Sequence, residues 1–358
     1  MDREYLTLEH IEKSFGGNRA LKDVSFSVKK GTVHVLAGEN GAGKSTVLKI
    51  LCGNYHADSG EIYLEGNKIV AANPRQAQDL GIAMVYQELT LVSELTVEEN
   101  LFLSIEPKNK FGLIDRKEVR KRIFALMDEY DIHINPKAIA GRLSVAEQQM
   151  AEILKVLLKN PQIIILDEPT VGLDPKQIIE IRDLIRNLGK EHTVILSSHI
   201  LTEISEVCEN IFIISQGKLV ASGREEELIE ELAGENRIEA IIKGDVKEIE
   251  TILDEFGCKH SIEVMDDEKC KIQIVTSREI DIREGLFFAL AEKKMPLLEL
   301  KFKTKSLEDL FIELTTEYKA QPKKKSLKFK KKNSEKLDDK NLADNLKNEE
   351  KEVQEVEK

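Results

Sequence analysis

The sequence predicts an α/β protein with a parallel-sheet core, an inserted helical lobe and a small α+β region after the core. The apolar runs VHVLAG, QIIILDEP and HTVILSSH have strand character and are separated by segments with helical spacing. Strands that alternate with helices are typical of a parallel sheet covered on both faces. Beyond residue 236 the predicted order is strand, helix, strand, strand, helix, strand. That order indicates a ferredoxin-like fold.

The core elements follow from local patterns, in chain order. Residues 6–11 and 24–28 have the apolar periodicity of strands. VHVLAG ends in glycine, and STVLKILC after it has helical spacing that Gly53 can end. From about residue 88 to residue 160 the pattern is helical with charged faces, which predicts the inserted lobe. KQIIEIRDLIRNLGK is a helix between the last two strands, and the core closes near Gly223.

The remaining elements predict one further domain and a tail. IEAIIK, HSIEV, CKIQIV and LLELKF have strand character, and VKEIETILDEF and REGLFFALAEK are helical. SLEDLFIELTTEY opens with Ser306 and Asp309, which is typical of a helix start. Beyond this helix the chain becomes lysine-rich and loses its apolar residues, which predicts disorder. We therefore expect domains at 1–235 and 236–318 and a disordered tail at 319–358.

Composition and charge narrow the function classes. The chain of 358 residues carries a formal net charge of −12, and an acidic protein disfavours non-specific binding to DNA or RNA. No segment approaches the roughly 18 apolar residues of a membrane span, and the N-terminus lacks the pattern of a secretion signal. The cysteines show neither CxxC nor Cys/His spacing, which argues against a disulfide framework or a zinc site. We expect a cytoplasmic protein with no nucleic-acid partner.

The segment GENGAGKS, residues 38–45, carries the strongest chemical signal. It matches G-x-x-x-x-G-K-[ST] between a predicted strand and a predicted helix, the context in which this pattern binds phosphate. Backbone N–H groups of the loop surround the phosphates, Lys44 neutralises them, and Ser45 offers its hydroxyl to Mg²⁺. The alternative is a glycine-rich turn without a ligand. The pattern predicts a P-loop NTPase core that binds ATP through Gly38, Glu39, Asn40, Gly41, Ala42, Gly43, Lys44, Ser45 and Thr46.

Two adjacent carboxylates follow the apolar run IIIL. Asp167 suits the coordination shell of Mg²⁺, and Glu168 suits the general base that deprotonates or orients the attacking water. The alternative is a pair of strand-end charges that face solvent. The upstream phosphate loop favours the catalytic interpretation.

These motifs, in this order, resemble the nucleotide-binding domain of ATP-binding-cassette (ABC) proteins over about residues 6–223. The resemblance implies roles for four further residues. Gln87 stands where the family has a glutamine that contacts Mg²⁺ and the attacking water and links the core to the lobe. His199 stands where a histidine contacts the γ-phosphate. Asp174 matches the loop that meets the opposite subunit, and Phe15 matches the aromatic residue that stacks on adenine.

Each of these four residues also has an ordinary structural explanation. Gln87 fits a surface amide, and His199 fits a core histidine with satisfied hydrogen bonds. Asp174 fits a turn residue before Pro175, and Phe15 fits ordinary core packing. The combined spacing of the motifs favours the functional interpretation.

The segment LSVAEQQ, residues 143–149, departs from the LSGGQ of the family because Val145 and Ala146 replace both glycines. In the family this segment begins a helix that covers ATP bound to the other subunit. Ser144 and the helix N-terminus are retained, so the resemblance implies an ATP contact here. The alternative is a capping box of Ser144 and Glu147, which any helix can use. We assign the contact to Ser144, Val145, Ala146 and Glu147.

The two halves of the sequence point to different transport directions. HVLAGENGAGKST, MVYQELTLVSELTVEENLFL and LSVAEQQM resemble monosaccharide importers. GLDPKQIIEIRDLI and SLEDLFIELT resemble single-domain exporters, with the change near Thr170. The accessory domain after one set of motifs favours export, and a carbohydrate-importer ATPase is the alternative. A soluble ABC ATPase that acts on ribosomes or DNA is a third class, which usually has paired cassettes or coiled-coil insertions.

The resemblance also implies partners and a location. Two ATPase subunits, as a homodimer or a pair, sandwich ATP with Mg²⁺ and drive a separate membrane permease. This assembly implies a peripheral position on the inner face of the cell membrane. The lysine-rich residues 323–332 suggest a contact with anionic lipid, and a solvated tail is the favoured alternative.

Overall fold

The computed structural model describes residues 4–103, 105–201, 205–232, 235–266, 269–277, 280–303, 308–312 and 316. The predicted disordered tail lies outside these residues, as does part of the predicted helix SLEDLFIELTTEY. The strands are β1 (Glu4–Phe15), β2 (Asn18–Lys29), β3 (Val33–Ala37), β4 (Ser59–Leu64), β5 (Asn67–Ile69), β6 (Ile82–Val85), β7 (Ile163–Asp167), β8 (Thr193–Ser198), β9 (Asn210–Ser215), β10 (Lys218–Gly223), β11 (Glu235–Lys243), β12 (Lys259–Asp266), β13 (Lys269–Ser277) and β14 (Leu297–Lys303).

The α-helices are α1 (Lys44–Leu51), α2 (Pro74–Asp79), α3 (Val97–Phe102), α4 (Arg116–Tyr130), α5 (Val145–Leu157), α6 (Pro175–Glu191), α7 (Glu225–Leu232), α8 (Val246–Glu255) and α9 (Arg283–Glu292). Short 3₁₀ helices lie at Ala140–Arg142 and Ser205–Val207. Within the described ranges, no helix has both the length and the apolar composition needed to cross a membrane.

A six-stranded sheet with the order β10-β9-β3-β8-β7-β6 forms the centre of the core. The strands from β9 to β6 are parallel, whereas β10 pairs with β9 in the antiparallel sense. All residues of β3, β7 and β8 are buried, as expected for strands covered on both faces. The predicted parallel α/β core is confirmed. The carboxyl ends of β3, β7 and β8 meet at one edge of the sheet, which brings together the residues that follow them.

Two apolar cores cover the faces of this sheet. Leu48 of α1 and Ile165 of β7 belong to the core that also includes residues of β1 and β2. These two strands are part of an antiparallel sheet with the order β2-β1-β4-β5. Ile164 of β7 and Ile153 of α5 belong to the core on the other face. Neighbouring isoleucines enter different cores because successive side chains of a strand point to opposite faces. Each such side chain contributes roughly 1.5–3 kcal/mol on burial.

The helices α3, α4 and α5 lie within the predicted lobe and share the second core. Leu101, Ile123 and Leu154 are almost fully buried there. The lobe also contacts the end of α6, because the Tyr130 hydroxyl lies 2.9 Å from Nε2 of His192. These contacts join the lobe to the core.

The chain beyond α7 forms a third sheet with the order β12-β13-β11-β14, in which all pairings are antiparallel. Ile249 of α8 and Leu286 of α9 pack with Ile238 and Ile274 to form its core. Counted from β11, the fourth, first, third and second strands lie side by side in that order. One helix follows the first strand and one follows the third, which is the ferredoxin-like arrangement. This predicted fold is confirmed. Phe311, after the last strand, packs against the core that contains α5.

Candidate functional site

The loop between β3 and α1 depends on glycine for its shape. Gly43, the residue before α1, has φ of 112°, which favours glycine. A Cβ at this position would lie 2.8 Å from Leu21 Cδ2 and 2.9 Å from the Ala20 carbonyl oxygen. A Cβ on Gly38 would lie 2.5 Å from the carbonyl oxygen of Ile214. The glycines therefore allow the loop to pack closely against its neighbours.

Lys44 lies on the first turn of α1 and is buried beneath this loop. Its Nζ donates to the carbonyl oxygens of Gly38, at 2.7 Å, and Glu39, at 3.3 Å. The same atom lies 3.0 Å from Oε1 of Glu168. Two carbonyl oxygens of the loop and one carboxylate oxygen of Glu168 thus fix the position of the Lys44 ammonium group.

Asp167 ends β7 and accepts hydrogen bonds from two serine hydroxyls. Ser45 Oγ of α1 donates to Asp167 Oδ1 at 3.0 Å, and Ser197 Oγ of β8 donates to the same oxygen at 2.6 Å. Ser197 Oγ also accepts the backbone N–H of Glu168 at 2.9 Å. The sequence-based assignment missed Ser197, which connects both carboxylate residues to the neighbouring strand.

Glu168 adopts the left-handed backbone region, with φ of 51°. This conformation is uncommon for a residue other than glycine and occurs often at functional sites. Its side chain is 7% exposed, and Oε2 lies 2.7 Å from Nδ1 of His199. The two carboxylate oxygens therefore face different cationic or hydrogen-bonding partners, Lys44 and His199.

Lys44, Glu168 and His199 border a cavity of about 750 Å³, whereas Asp167 and Ser197 do not line it. Many predicted residues line the cavity: Glu39, Asn40, Gly41, Gly43, Lys44, Ser45, Thr46, Gln87, Glu168 and His199. Gly38 and Ala42 complete the same loop without lining the cavity. Sequence reasoning missed a further set of lining residues: Asn18, Arg19, Ala20, Lys22, Val171 and Gln216. The cations Arg19 and Lys22, which follow the glycine turn at 16–17, were the available signal for part of that set.

The residues present fit a nucleotide with a divalent cation. The loop N–H groups, Lys44 and the start of α1 suit a chain of phosphates. The oxygens of Ser45, Asp167 and Gln87 are of the hard type that Mg²⁺ prefers, and Mg²⁺ at phosphates commonly uses few protein ligands. Across the described residues, no group of three or more His, Cys, Asp or Glu side chains forms a metal site.

Phe15 does not line the cavity and is 42% exposed. Its ring packs edge-on against Tyr55, with 5.1 Å between ring centroids, and Lys13 Nζ lies 5.4 Å from its centroid. The alternative of core packing does not describe this exposed ring. Its role in adenine stacking stays a prediction.

The predicted contacts with a second subunit lie at helix starts. Ser144 precedes α5, where its Oγ accepts the Glu147 N–H at 3.3 Å and its own N–H donates to Glu147 Oε2 at 2.8 Å. Val145 is 45% exposed, whereas Ala146 is buried. Asp174 precedes α6 and accepts the Gln177 N–H at 2.9 Å. Both helix starts are thus capping boxes, and none of these residues lines the cavity.

Comparison with known proteins identifies the domain. Residues 21–171 match the family model described as "ABC transporter". This range includes the phosphate loop, Gln87, the Ser144 segment and Glu168. The chain carries the ATPase domain of an ABC transporter.

Two curated relatives are similar to this ABC chain over 68% of its length. They are the ribose import ATP-binding protein RbsA 2 of Streptomyces avermitilis, 38% identical over 248 residues, and the ribose import ATP-binding protein RbsA of Caldanaerobacter subterraneus, 38% identical over 244 residues. The chain covers 49% and 48% of their lengths, so it spans about half of each. A match of 244 residues cannot end at Thr170, so the similarity to importers extends beyond the predicted change.

Solved structures agree with the family. An ATP-binding cassette of an ABC transporter in its ADP conformation is 29% identical, with a TM-score of 0.58, over 64% of this chain and 94% of that one. The dimeric post-hydrolysis state of an ATP-binding cassette bound to ADP and Pi is 26% identical, with a TM-score of 0.52, over 61% of this chain and 98% of that one. These neighbours have the P-loop NTPase fold that the sequence predicts for the core.

Proposed function

We propose that this chain is the ATP-binding and ATP-hydrolysing subunit that powers carbohydrate import through a separate membrane permease. The observation that carries the proposal is the convergence of Lys44, Ser45, Glu168 and His199 on one cavity. The names of both relatives, ribose import ATP-binding proteins, support import over the export that sequence reasoning favoured. The site chemistry supports ATP hydrolysis, and the relatives support the direction of transport.

The phosphate chain of ATP lies on the loop before α1 in this proposal. Lys44 neutralises the β and γ phosphates, and the positive end of the α1 dipole faces them. Because the Lys44 ammonium also contacts Glu168, a bound γ-phosphate competes for the same cation. ATP binding therefore weakens the ion pair between Lys44 and Glu168. The Glu168 carboxylate is then available to activate the attacking water.

Ser45, Asp167 and Gln87 hold Mg²⁺, which neutralises charge on the transferred phosphate. Ser197 fixes the orientation of the Asp167 carboxylate through its 2.6 Å hydrogen bond. These residues bind and orient the metal and the nucleotide but take no part in proton transfer.

Glu168 orients the attacking water and accepts its proton. General base catalysis of this kind is worth about 10²–10⁴ in rate. His199 lies 2.7 Å from the same carboxylate and lines the cavity, so its imidazole is available to the γ-phosphate. In this proposal the Glu168 carboxylate acts on the attacking water, and the His199 imidazole contacts the γ-phosphate.

Two copies of the cassette sandwich two ATP molecules, each between one Lys44 loop and the Ser144 segment of the other copy. The start of α5 is exposed at Ser144 and Val145, which leaves its N-terminal end accessible to a second copy. Asp174 lies at the facing loop, and Phe15 stacks on adenine in this proposal. The dimeric state of a similar cassette supports the arrangement.

The partner of the cassette dimer is a membrane permease, and the chain lies peripherally on the inner face of the cell membrane. No nucleic-acid partner is part of the proposal, in line with the formal net charge of −12. Export is the second candidate function, because the sheet β12-β13-β11-β14 forms an accessory region beyond the core.

The first test compares ATP hydrolysis by the wild type, Glu168→Gln and the control Glu88→Gln. Glu88 is an exposed carboxylate beside Gln87, so its loss leaves the hydrolysis rate near that of the wild type. Glu168→Gln lowers kcat by about 10²–10⁴ while ATP still binds. Equal rates for the wild type and Glu168→Gln would contradict the catalytic assignment.

The direction of transport is tested by affinity capture of Glu168→Gln from detergent-solubilised native membranes with ATP and Mg²⁺. A permease with a sugar-binding protein supports import. A multi-span partner without a binding protein supports export instead. Recovery of ribosomes or DNA with no membrane protein overturns both transport proposals.

A further inference from the structure

Glu152 is a buried carboxylate on α5 that the proposed mechanism does not use. The exposed fraction of Glu152 is 6%. The carboxylate accepts the backbone N–H of Thr90 at 2.6 Å and the Thr90 hydroxyl at 2.7 Å, both at Oε1. Lys155 Nζ lies 3.5 Å from Oε2 and donates to Thr90 Oγ1 at 2.9 Å. A buried carboxylate is costly without such partners, so this cluster specifically fixes Thr90 against α5.

Thr90 belongs to the segment that contains Gln87, which lines the cavity. We call residues 86–92 the Gln87 loop. Its first residue is held on the core side, where Tyr86 donates its hydroxyl to Asn54 Oδ1 at 3.0 Å. Its last residue is held on the lobe side, where the Val92 N–H donates to Asn100 Oδ1 at 2.7 Å. The loop therefore crosses from the core to the lobe, and Thr90 is its first lobe-side attachment.

The N-terminal end of α5 carries the Ser144 segment, whereas Glu152 lies near the middle of the helix. Glu152 lies eight residues after Ser144 in the chain, which is about 12 Å along a helix that rises 1.5 Å per residue. An uninterrupted α-helix transmits a displacement over that length because its backbone hydrogen bonds are intact. One rigid element thus connects the Ser144 segment to the Gln87 loop through a buried carboxylate.

We infer that Glu152 is a positioning residue that makes the Gln87 loop move together with α5. Docking of the Ser144 segment on the nucleotide of a second copy then sets Gln87 at the cavity of its own copy. This inference rests on the proposed function, because it concerns the timing of hydrolysis within that dimer. Glu152 itself touches neither nucleotide nor water.

The test uses full-length variants and a matched control. Glu152→Gln preserves shape but removes the negative charge that accepts the Thr90 donors and replaces the oxygen facing Lys155 with an NH2 group. Thr90→Val removes the hydroxyl that donates to Glu152. Thr90→Ser keeps that hydroxyl and serves as the conservative variant. Glu98→Gln is the control, because Glu98 is another buried carboxylate of the lobe, 8% exposed and paired with Arg120 at 2.8 Å.

Glu152→Gln and Thr90→Val lower kcat by about tenfold, which corresponds to losing one buried charged hydrogen bond, and leave KM for ATP within about twofold. Thr90→Ser restores kcat to within about twofold of the wild type. Glu98→Gln lowers the thermal midpoint as much as Glu152→Gln but keeps kcat. A merely structural role for Glu152 predicts instead that both carboxylate variants lose activity only in proportion to lost stability.

A fluorescence signal reports the loop directly. The chain contains no tryptophan, so Glu88→Trp introduces a single tryptophan beside Gln87 that can be excited selectively over the six tyrosines. ATP with Mg²⁺ changes its emission in the Glu88→Trp protein, and Glu152→Gln reduces that change at saturating ATP. The inference is overturned by an undiminished emission change, or by equal kcat for Thr90→Ser and Thr90→Val.

A wild type that binds no ATP overturns the proposed function and this inference with it. The inference alone is overturned if the wild type hydrolyses ATP, Glu168→Gln loses that activity and Glu152→Gln keeps the kcat of the wild type.

Discussion

Lys44 and Glu168 form a buried ion pair, with 3.0 Å between Nζ and Oε1, at the centre of the candidate site. Their side chains are 5% and 7% exposed. The pair joins the group proposed to bind phosphate to the group proposed to activate water. A buried ion pair adds little net stability compared with apolar packing. We therefore attribute the importance of this pair to the competition between ATP and Glu168 for the Lys44 ammonium group.

Lys44→Ala leaves the Glu168 carboxylate buried without its cation. An unpaired buried charge costs roughly 3–5 kcal/mol, so we expect the free energy of unfolding to fall by an amount of that order. The double variant Lys44→Ala/Glu168→Gln removes the charge and regains part of the lost stability. Denaturant unfolding without nucleotide measures both values. Equal stability of the single and double variants would show that the unpaired Glu168 carboxylate carries no penalty.

Ser197→Ala removes the hydroxyl that donates to Asp167 and accepts from the Glu168 backbone. A misoriented Asp167 holds Mg²⁺ less well, and loss of such a supporting hydrogen bond typically costs 10–100-fold in metal affinity. We expect the Mg²⁺ concentration for half-maximal ATP hydrolysis to rise by at least about tenfold. Ser198→Ala is the control, because Ser198 is equally buried but donates to the Ile200 carbonyl oxygen. A similar Mg²⁺ requirement for both variants would argue against the role of Ser197.

His34 links stability to pH. Burial lowers the pKa of His34 from 6.5 to about 4, and its ring stacks on Phe212. The unfolded chain binds a proton near pH 6.5 and the folded chain only near pH 4, so His34 contributes stability fully above pH 6.5. That contribution, on the order of 3 kcal/mol, is lost as the pH falls toward 4.

The variant His34→Gln should therefore reduce the decline in unfolding free energy between pH 6.5 and pH 4. Urea unfolding at several pH values measures the slope. His133→Gln is the control, because the His133 side chain is 85% exposed. Identical slopes in the wild type and His34→Gln would mean that other groups account for the pH dependence.

Local sequence patterns predicted much of this fold because local chemistry determines them. The phosphate loop needs glycine at Gly43, and the helices that start after Ser144 and Asp174 each use a capping residue, so each feature leaves a recognisable sequence pattern. The order of strands and helices indicated the parallel core and the ferredoxin-like sheet without knowledge of any contact.

Contacts that depend on strand register were beyond such patterns. Asp167 faces Ser197 because β7 and β8 pair in parallel with these two residues in register. Thr90 meets Glu152 across 62 residues of sequence. Serine, threonine and glutamate have many ordinary uses, so only the pairing of distant segments reveals these positions. For the transport direction, sequence reasoning gave more weight to the accessory region than to the similarity of the core to importers, and the names of the curated relatives support the importer alternative.

The central claim is that ATP joins two cassettes through the Lys44 loop of one and the Ser144 segment of the other. Light scattering of Glu168→Gln after size exclusion in ATP and Mg²⁺ tests it most directly. The account predicts a mass twice that of the 40.6 kDa chain, and a return to the single mass when Ser144→Arg is added. A protein that binds ATP and stays at the single mass would contradict it.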